Sequence, residues 1–305
     1  MNSPGALKIS TLLALPFLLL ACAHTPTTSL KWYNDTTASV HLSLDVAVES
    51  QVKDFQLDTG SNLKFIAKDR QTARFTQLEK IHYGGLTLTP QECDRVRVKK
   101  VAFSTLKFID AEVIRCDDRT NLLGMDLLEG HILQVSPTRA EFKILSDLPT
   151  NLPVNIMERG PSRHILMPIV INDQVLNAVF DTGFSITGID RKFIKAHPES
   201  FEPVTNELSD DLTVDTTGQP VQLKYYRVKN LRIGTYDFGE QFVTAVDFTP
   251  ELTMLLGDNV HAFIGTSAIV YADWIIDLKD NVWSASMRPR ESLVSLKSPF
   301  RVHTL

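Results

Sequence analysis

Shifting the chain by 181 − 58 = 123 positions aligns residues 41–66 (HLSLDVAVESQVKDFQLDTGSNLKFI) with residues 164–189 (HILMPIVINDQVLNAVFDTGFSITGI) without a gap. Internal repetition on this scale constrains the fold more than any local propensity, because like segments build like units. His41 falls on His164, Gln51-Val52 on Gln174-Val175, and Leu57 on Phe180. Leu42, Leu44, Val46 and Val48 alternate with mostly more polar neighbours, as a half-buried strand requires. A turn follows in each copy, at Glu49-Ser50 and Asn172-Asp173, and a second strand then runs into Asp-Thr-Gly. Each half thus opens with a β-hairpin that delivers an aspartate, Asp58 or Asp181, at its far end.

The halves also end alike. Leu122-Leu123-Gly124 has a counterpart in Phe263-Ile264-Gly265, at an offset of 265 − 124 = 141, and a strand pair follows each, at 131–145 and 272–286. Leu255-Leu256-Gly257 competes for the second glycine motif, but its spacing to the final hairpin does not match. Between the halves, 146–164 carries three prolines and few aliphatic residues, the composition of a connecting segment. The expected organisation is two pseudo-twofold β-rich lobes, 33–148 and 161–290, joined by a linker at 149–160 and followed by a tail at 291–305. Short helices are expected after each Asp-Thr-Gly, for example Asp190 to Ala196.

Composition bounds the partners. The chain has 305 residues, 43% hydrophobic and 22% charged, enough apolar matter for one or two cores. A formal charge of −5 without a basic stripe argues against nucleic acid. At the N-terminus Lys8 precedes the apolar run Ile9 to Leu20, the layout of a secretory signal. Leu19-Leu20-Ala21-Cys22 resembles a bacterial lipobox, which implies cleavage before Cys22 and its lipidation; a plain signal peptide or an anchor helix are the other readings. By resemblance to lipoproteins of that type, Ala23 favours the outer membrane, so the expected location is the cell envelope, lipid-anchored and facing the periplasm. Removing Cys22 leaves Cys93 and Cys116. The stretch between them reads as two strands about a turn near Ser104, and 93 + 116 = 209 centres a hairpin there. A cross-strand disulfide fits that register, and two free buried thiols fit the composition equally.

Two carboxylates held within hydrogen-bonding distance cannot both ionise comfortably, so they share a proton and titrate in separated steps. One then serves as a base toward water and the other as an acid toward a carbonyl oxygen or leaving nitrogen. One Asp-Thr-Gly per pseudo-symmetric half is a direct way to build such a pair.

On these motifs the chain resembles aspartic proteases of the pepsin/retropepsin clan, with two retropepsin-like lobes in one polypeptide. The resemblance implies an all-β bilobal fold of two β-barrel lobes with short helices, and no cofactor or metal. It implies catalytic roles for Asp58 and Asp181, interlocking roles for Thr59 and Thr182, and tight loops completed by Gly60 and Gly183. Gly124 and Gly265 would support those loops, and Ser61 would offer its hydroxyl to an aspartate. A flap hairpin would carry its tip at Tyr83-Gly84-Gly85, and a second tip would lie at Asp215 to Gly218. Either stretch also reads as a plain surface hairpin. Phe184 departs from the family pattern, which places Ser, Thr or Ala there. Its ring could fill a pocket floor, alter the tuning of Asp181, or mark a lobe of reduced activity.

Three functions stay open. The first is an endopeptidase that cleaves an extended peptide or protein substrate by water attack. The second is a catalytically weak peptide-binding lipoprotein, and the third is a structural envelope protein. Retention of both aspartates, threonines and glycines favours the first. A site completed within one chain makes dimerisation unnecessary, so a monomer is expected, held at the membrane through Cys22. Eight scattered histidines form no HExxH pattern, and the chain has no G-x-S-x-G, P-loop or dinucleotide fingerprint. The lone histidines read as surface or structural residues, and Asp45, Asp126 and Asp277 as turn or surface residues.

Overall fold

The computed structural model describes residues 28–34, 40–84, 90–117, 120–204, 212–214, 220–222 and 224–287. The signal segment with Cys22, the tail at 291–305, Gly85 and Gly218 lie outside the described residues.

The first half contains β1 (Thr28–Asn34), β2 (Val40–Val48), β3 (Gln51–Leu57), β4 (Phe65–Ala67), β5 (Thr76–Gly84), β6 (Pro90–Phe103) and β7 (Leu106–Cys116). It closes with β8 (Leu122–Leu123), β9 (Ile132–Ser136) and β10 (Glu141–Leu145). Two short strands follow, β11 (Asn155–Ile156) and β12 (Glu158–Arg159). The second half contains β13 (Ile165–Ile171), β14 (Gln174–Phe180), β15 (Gly188–Asp190), β16 (Glu202–Pro203), β17 (Leu212–Val214), β18 (Pro220–Gln222) and β19 (Tyr225–Ile233). It ends with β20 (Tyr236–Val246), β21 (Val260–Ile264), β22 (Ala272–Asp277) and β23 (Val282–Met287). Helices are short: α1 (Arg191–Ala196), α2 (Pro250–Leu256) and α3 (Thr266–Ile269). Asp190 caps α1 by accepting from the Lys192 amide at 3.0 Å, which explains why the helix starts where the sequence places it.

Each half closes a barrel of six strands. In the first, the order β2-β3-β8-β4-β7-β6 returns to β2; in the second, β13-β14-β21-β15-β20-β19 returns to β13. The strand senses match one for one: β3–β8 and β14–β21 are parallel, β4–β7 and β15–β20 are parallel, and the remaining barrel pairings are antiparallel. The fold is therefore all-β, with two pseudo-twofold lobes. The alternation in β2 works as the sequence requires, since Leu42, Leu44, Val46 and Val48 are all buried. Glu49, Asn172 and Asp173 take left-handed backbone angles at the two hairpin turns, the conformation a two-residue hairpin loop demands.

The lobes are sewn together by the terminal hairpins. Strand β9 pairs antiparallel with β22, and β10, β1, β23 and β11 extend this platform on either side. Trp274 and Trp283 fill its core, with Phe180 edge-on to Trp274 at 5.0 Å.

The expected lobe boundaries need correction. Thr28 pairs with Phe142 as Asn155 pairs with Trp283, and Trp32 pairs with Leu42 as Arg159 pairs with Ile165. The offsets are 155 − 28 = 127 and 159 − 32 = 127, so β11 and β12 repeat β1. Residues 155–159 of the expected linker are the opening strand of the second lobe, and the first lobe begins at Thr28 instead of 33. Met157 between them is buried, which an unstructured connector would not achieve.

Candidate active site

Strands β3 and β14 carry the aspartates to the boundary between the lobes. Their parallel neighbours β8 and β21 fix where each strand ends. The Asp58 amide donates to the Leu123 carbonyl at 3.1 Å, and the Asp181 amide to the Ile264 carbonyl at 3.0 Å. Each chain then turns sharply. The Gly60 amide donates to Asp58 Oδ1 at 3.1 Å and the Gly183 amide to Asp181 Oδ1 at 2.8 Å. A Cβ on Gly60 would lie 2.2 Å from the Asp181 carboxyl carbon, and one on Gly183 would lie 2.5 Å from that of Asp58. Each carboxyl therefore rests on the glycine of the opposite loop, a place only a residue without a side chain can occupy.

The threonines lock the two loops. The Thr59 amide donates to the Thr182 hydroxyl at 3.1 Å, and the Thr182 amide to the Thr59 hydroxyl at 3.0 Å. Each hydroxyl in turn donates across the boundary at 2.7 Å, Thr59 to the Phe180 carbonyl and Thr182 to the Leu57 carbonyl. All four groups are buried, so each bond satisfies a polar group that has no water to turn to.

Asp58 and Asp181 are 4% and 8% exposed, and their side chains hydrogen-bond to one another. Burial raises both above the ordinary carboxylate range. For Asp58 the charge on Asp181 adds to burial and holds it well above that range, against the Gly60 and Ser61 amides. Asp181 is pushed up only to about 6, because the Gly183 amide, the Asp58 side chain and the Phe184 and Gly60 amides oppose burial. The two carboxyls therefore titrate as one pair, with both groups held above the ordinary carboxylate range.

Both supporting glycines sit beneath these loops. A Cβ on Gly124 would lie 2.1 Å from the Leu63 carbonyl oxygen, and one on Gly265 would lie 2.6 Å from the Ile186 carbonyl carbon. The next residues continue the match, with the Met125 amide donating to the Ser61 carbonyl at 2.8 Å and the Thr266 amide to the Phe184 carbonyl at 2.7 Å. Below this level the lobes differ. The first uses an ion pair, Lys64 to Asp126 at 2.5 Å. The second uses hydroxyls, Ser267 accepting from the Thr187 amide at 2.9 Å.

Three expectations change. Ser61 donates its hydroxyl to the Leu63 carbonyl at 3.0 Å and not to an aspartate, because that carbonyl turns back into the loop. Phe184 stacks on Phe263 at 5.1 Å within an apolar cluster of the second lobe, so its ring is an anchor and its amide still serves Asp181. Asp126, read from sequence as a turn or surface residue, pairs with Lys64 beneath the loop that carries Asp58. Asp277 does sit in a turn, accepting from the Lys279 and Asp280 amides at 2.8 and 3.1 Å.

The flap reading also shifts. Gly84 pairs with Pro90, and Tyr83 with Gln91. Tyr83 and Gly84 are therefore strand residues rather than the tip, and the Tyr83 ring meets Phe65 edge-on at 4.6 Å. In the second lobe Leu212–Val214 pairs with Pro220–Gln222, framing 215–219 outside the described residues. Cys93 and Cys116 form a disulfide, S–S 2.03 Å, at the end of a β6–β7 register in which Asp94 pairs with Arg115. It packs with Phe65 and Leu122, with Ile81 and Tyr83 against it.

The sequence reading missed the residues that hold the loop carbonyls. His164 Nε2 lies 2.9 Å from the Gly60 carbonyl, and Gln56 Nε2 donates to the Gly183 carbonyl at 3.4 Å. The signal available was the alignment of His41 on His164.

Residues 167–266 match the family model described as "Aspartyl protease". The match covers 266 − 167 + 1 = 100 residues, about a third of the chain. It spans Asp181, Thr182, Gly183 and Gly265, the second half of the site, and supports a retropepsin-like aspartic protease domain there. No curated protein matches the chain.

Proposed function

We propose that the chain is an aspartic endopeptidase working between Asp58 and Asp181. The observation that carries the reading is the crossed threonine exchange, which fixes two buried carboxyls against each other's glycines. In the proposed cycle, ionised Asp181 takes a proton from a water lying between the carboxyls. The water oxygen bonds to the scissile carbonyl carbon while Asp58 gives its proton to the carbonyl oxygen. Collapse of the tetrahedral species breaks the C–N bond: the proton held by Asp181 passes to the departing nitrogen, and one hydroxyl of the former carbonyl carbon returns its proton to Asp58, leaving a carboxylic acid and an amine. No covalent enzyme intermediate forms. An extended peptide would lie between the lobes and the β5–β6 hairpin. We also propose that the mature chain is a monomer tethered by lipidated Cys22 at the periplasmic face of an outer membrane.

The test uses full-length protein in mild detergent with a diverse peptide mixture from about pH 3 to 8, bracketing dyad titration and neutrality. Cleavage by the wild type that is lost in folded Asp58→Asn and Asp181→Asn supports the reading. A folded wild type that cuts nothing at any pH overturns it in favour of a peptide-binding clamp. For the tether, Cys22→Ser should move the protein from the membrane to the soluble fraction.

A further inference from the structure

One peptide unit of the first catalytic loop is held from both ends. The bond between Gly60 and Ser61 carries the Ser61 amide on one side and the Gly60 carbonyl on the other. The Ser61 amide donates to the Asp58 main-chain carbonyl at 3.3 Å and is one of the two backbone donors, with Gly60, that lower the proton affinity of the Asp58 carboxyl. The Gly60 carbonyl lies 2.9 Å from His164 Nε2, which belongs to the other lobe. A carbonyl only accepts, so Nε2 carries the hydrogen and the bare Nδ1 faces inward, buried and without a partner among the described residues. His164 is 2% exposed and stays neutral, because burial and then the nearby Arg159 cation hold its pKa below the usual histidine range, against the Gly60 carbonyl. Arg159 Nη2 donates to Glu129 Oε2 at 2.7 Å and to the Arg163 carbonyl, while its Nε and Nη1 are buried without a partner among the described residues. At the other loop the Gly183 carbonyl accepts from Gln56 Nε2 at 3.4 Å.

We infer that His164 is a positioning residue for the dyad, using its Nε2–H to hold the Gly60 carbonyl and so aim the Ser61 amide at the Asp58 carboxyl. The peptide plane transmits the constraint, since its carbonyl and amide point in opposite directions and cannot turn independently. A hydrogen bond accepted at the carbonyl also polarises the amide at the far end and makes it a better donor. His164 thereby gives Asp58 a support from the opposite lobe. The inference rests on the peptidase reading for its effect on turnover, and on geometry alone for its effect on the dyad's protons.

The experiment combines three measurements on the full-length chain. In the wild type, ¹⁵N-histidine spectra should show the His164 ring neutral with its proton on Nε2 at neutral pH. Carboxyl titration with ¹³C-labelled aspartate should show the proton affinity of Asp58 rising about three- to tenfold in His164→Phe and His164→Met, the effect of one lost charge-directed hydrogen bond. His164→Gln, which presents an amide nitrogen where Nε2 lies, should titrate like the wild type. In the peptidase assay the apolar variants should lose about tenfold in kcat with KM within about twofold, and His164→Gln should recover it. A proton on Nδ1, unchanged titration in the apolar variants, or a Gln variant as impaired as Phe would overturn the assignment. Should the apolar variants fail to fold, the tautomer and the Gln variant decide it. A wild type that cuts nothing would remove the peptidase reading, yet the tautomer and the carboxyl titration would still settle the role of His164.

Discussion

Gln134 pairs with Ile275 across the antiparallel contact of β9 and β22, and 275 − 134 = 141 makes each residue the other's repeat counterpart. A strand that pairs with its own repeat about such a pair lies on a local twofold axis. The threonine exchange obeys the same symmetry, with Thr59 and Thr182 swapping identical bonds. The sheet that joins the lobes and the loops that carry the carboxyls are thus aligned by one operation.

Thr59→Val should break two of the four exchanged bonds while keeping side-chain volume, leaving the Thr182 amide and the Phe180 carbonyl buried and unpaired. Unfolding in denaturant should show a loss of about 2–4 kcal/mol, and turnover should fall with it. Thr59→Ser keeps the hydroxyl and should recover most of both. Equal loss in Val and Ser would mean the methyl, not the bond, matters.

Gly124→Ala and Gly265→Ala should each displace a catalytic loop, because the new Cβ meets backbone 2.1 and 2.6 Å away. Overpacking against backbone costs about 1–3 kcal/mol or more. Gly130→Ala serves as a comparison, since nothing lies within 4 Å of its Cβ position and only its φ of +73° resists. Thermal melts and peptide cleavage measured together should show activity lost from the first two alone.

The dyad should make stability depend on pH. The folded pKa of Asp181, about 6, lies above the usual aspartate value of 3.8, and Asp58 is raised as well. The native state therefore binds protons more tightly, so this stabilisation is full below about pH 4 and is lost as pH rises through about 6. Asp181→Asn removes the penalty and should gain about 1–3 kcal/mol at pH 7, with no gain at pH 4. Melting curves at the two pH values check the sign.

Replacing Cys93 and Cys116 together by serine should cost about 3 kcal/mol for the 23-residue separation of this bridge. The melting temperature should fall by about 6–12 °C. Because the bridge packs on Phe65 and Tyr83, KM for peptide should rise more than kcat falls.

Phe184→Ser restores the family pattern in sequence but removes a ring stacked on Phe263. It should lose about 2 kcal/mol of stability without raising turnover at any pH. A gain in activity would show that the ring, and not its anchor role, limits the site.

The hairpins, the barrel strands and both loops were legible because long alternating strands and a gapless repeat leave a dense side-chain signal. Strands β11 and β12 were not, since two-residue strands are defined by backbone pairing that prolines nearby disguise. Tyr83 was misplaced by a few residues because hairpin register depends on where pairing resumes at Pro90, which side-chain pattern alone does not fix. His164 stood in view, aligned with His41, but its partner is a backbone carbonyl in the other lobe. Contacts between a side chain and a distant main-chain atom leave no periodicity to read.

The covalent passage through 155–159 has a consequence for how the two halves can diverge. An assembly of identical copies must surround both aspartates with the same neighbours. A single continuous polypeptide is released from that rule, and here Lys64–Asp126 faces Thr187–Ser267, Ser61 faces Phe184, and His164 is answered by Gln56. Such inequality frees the two acids to differ in proton affinity before any substrate arrives.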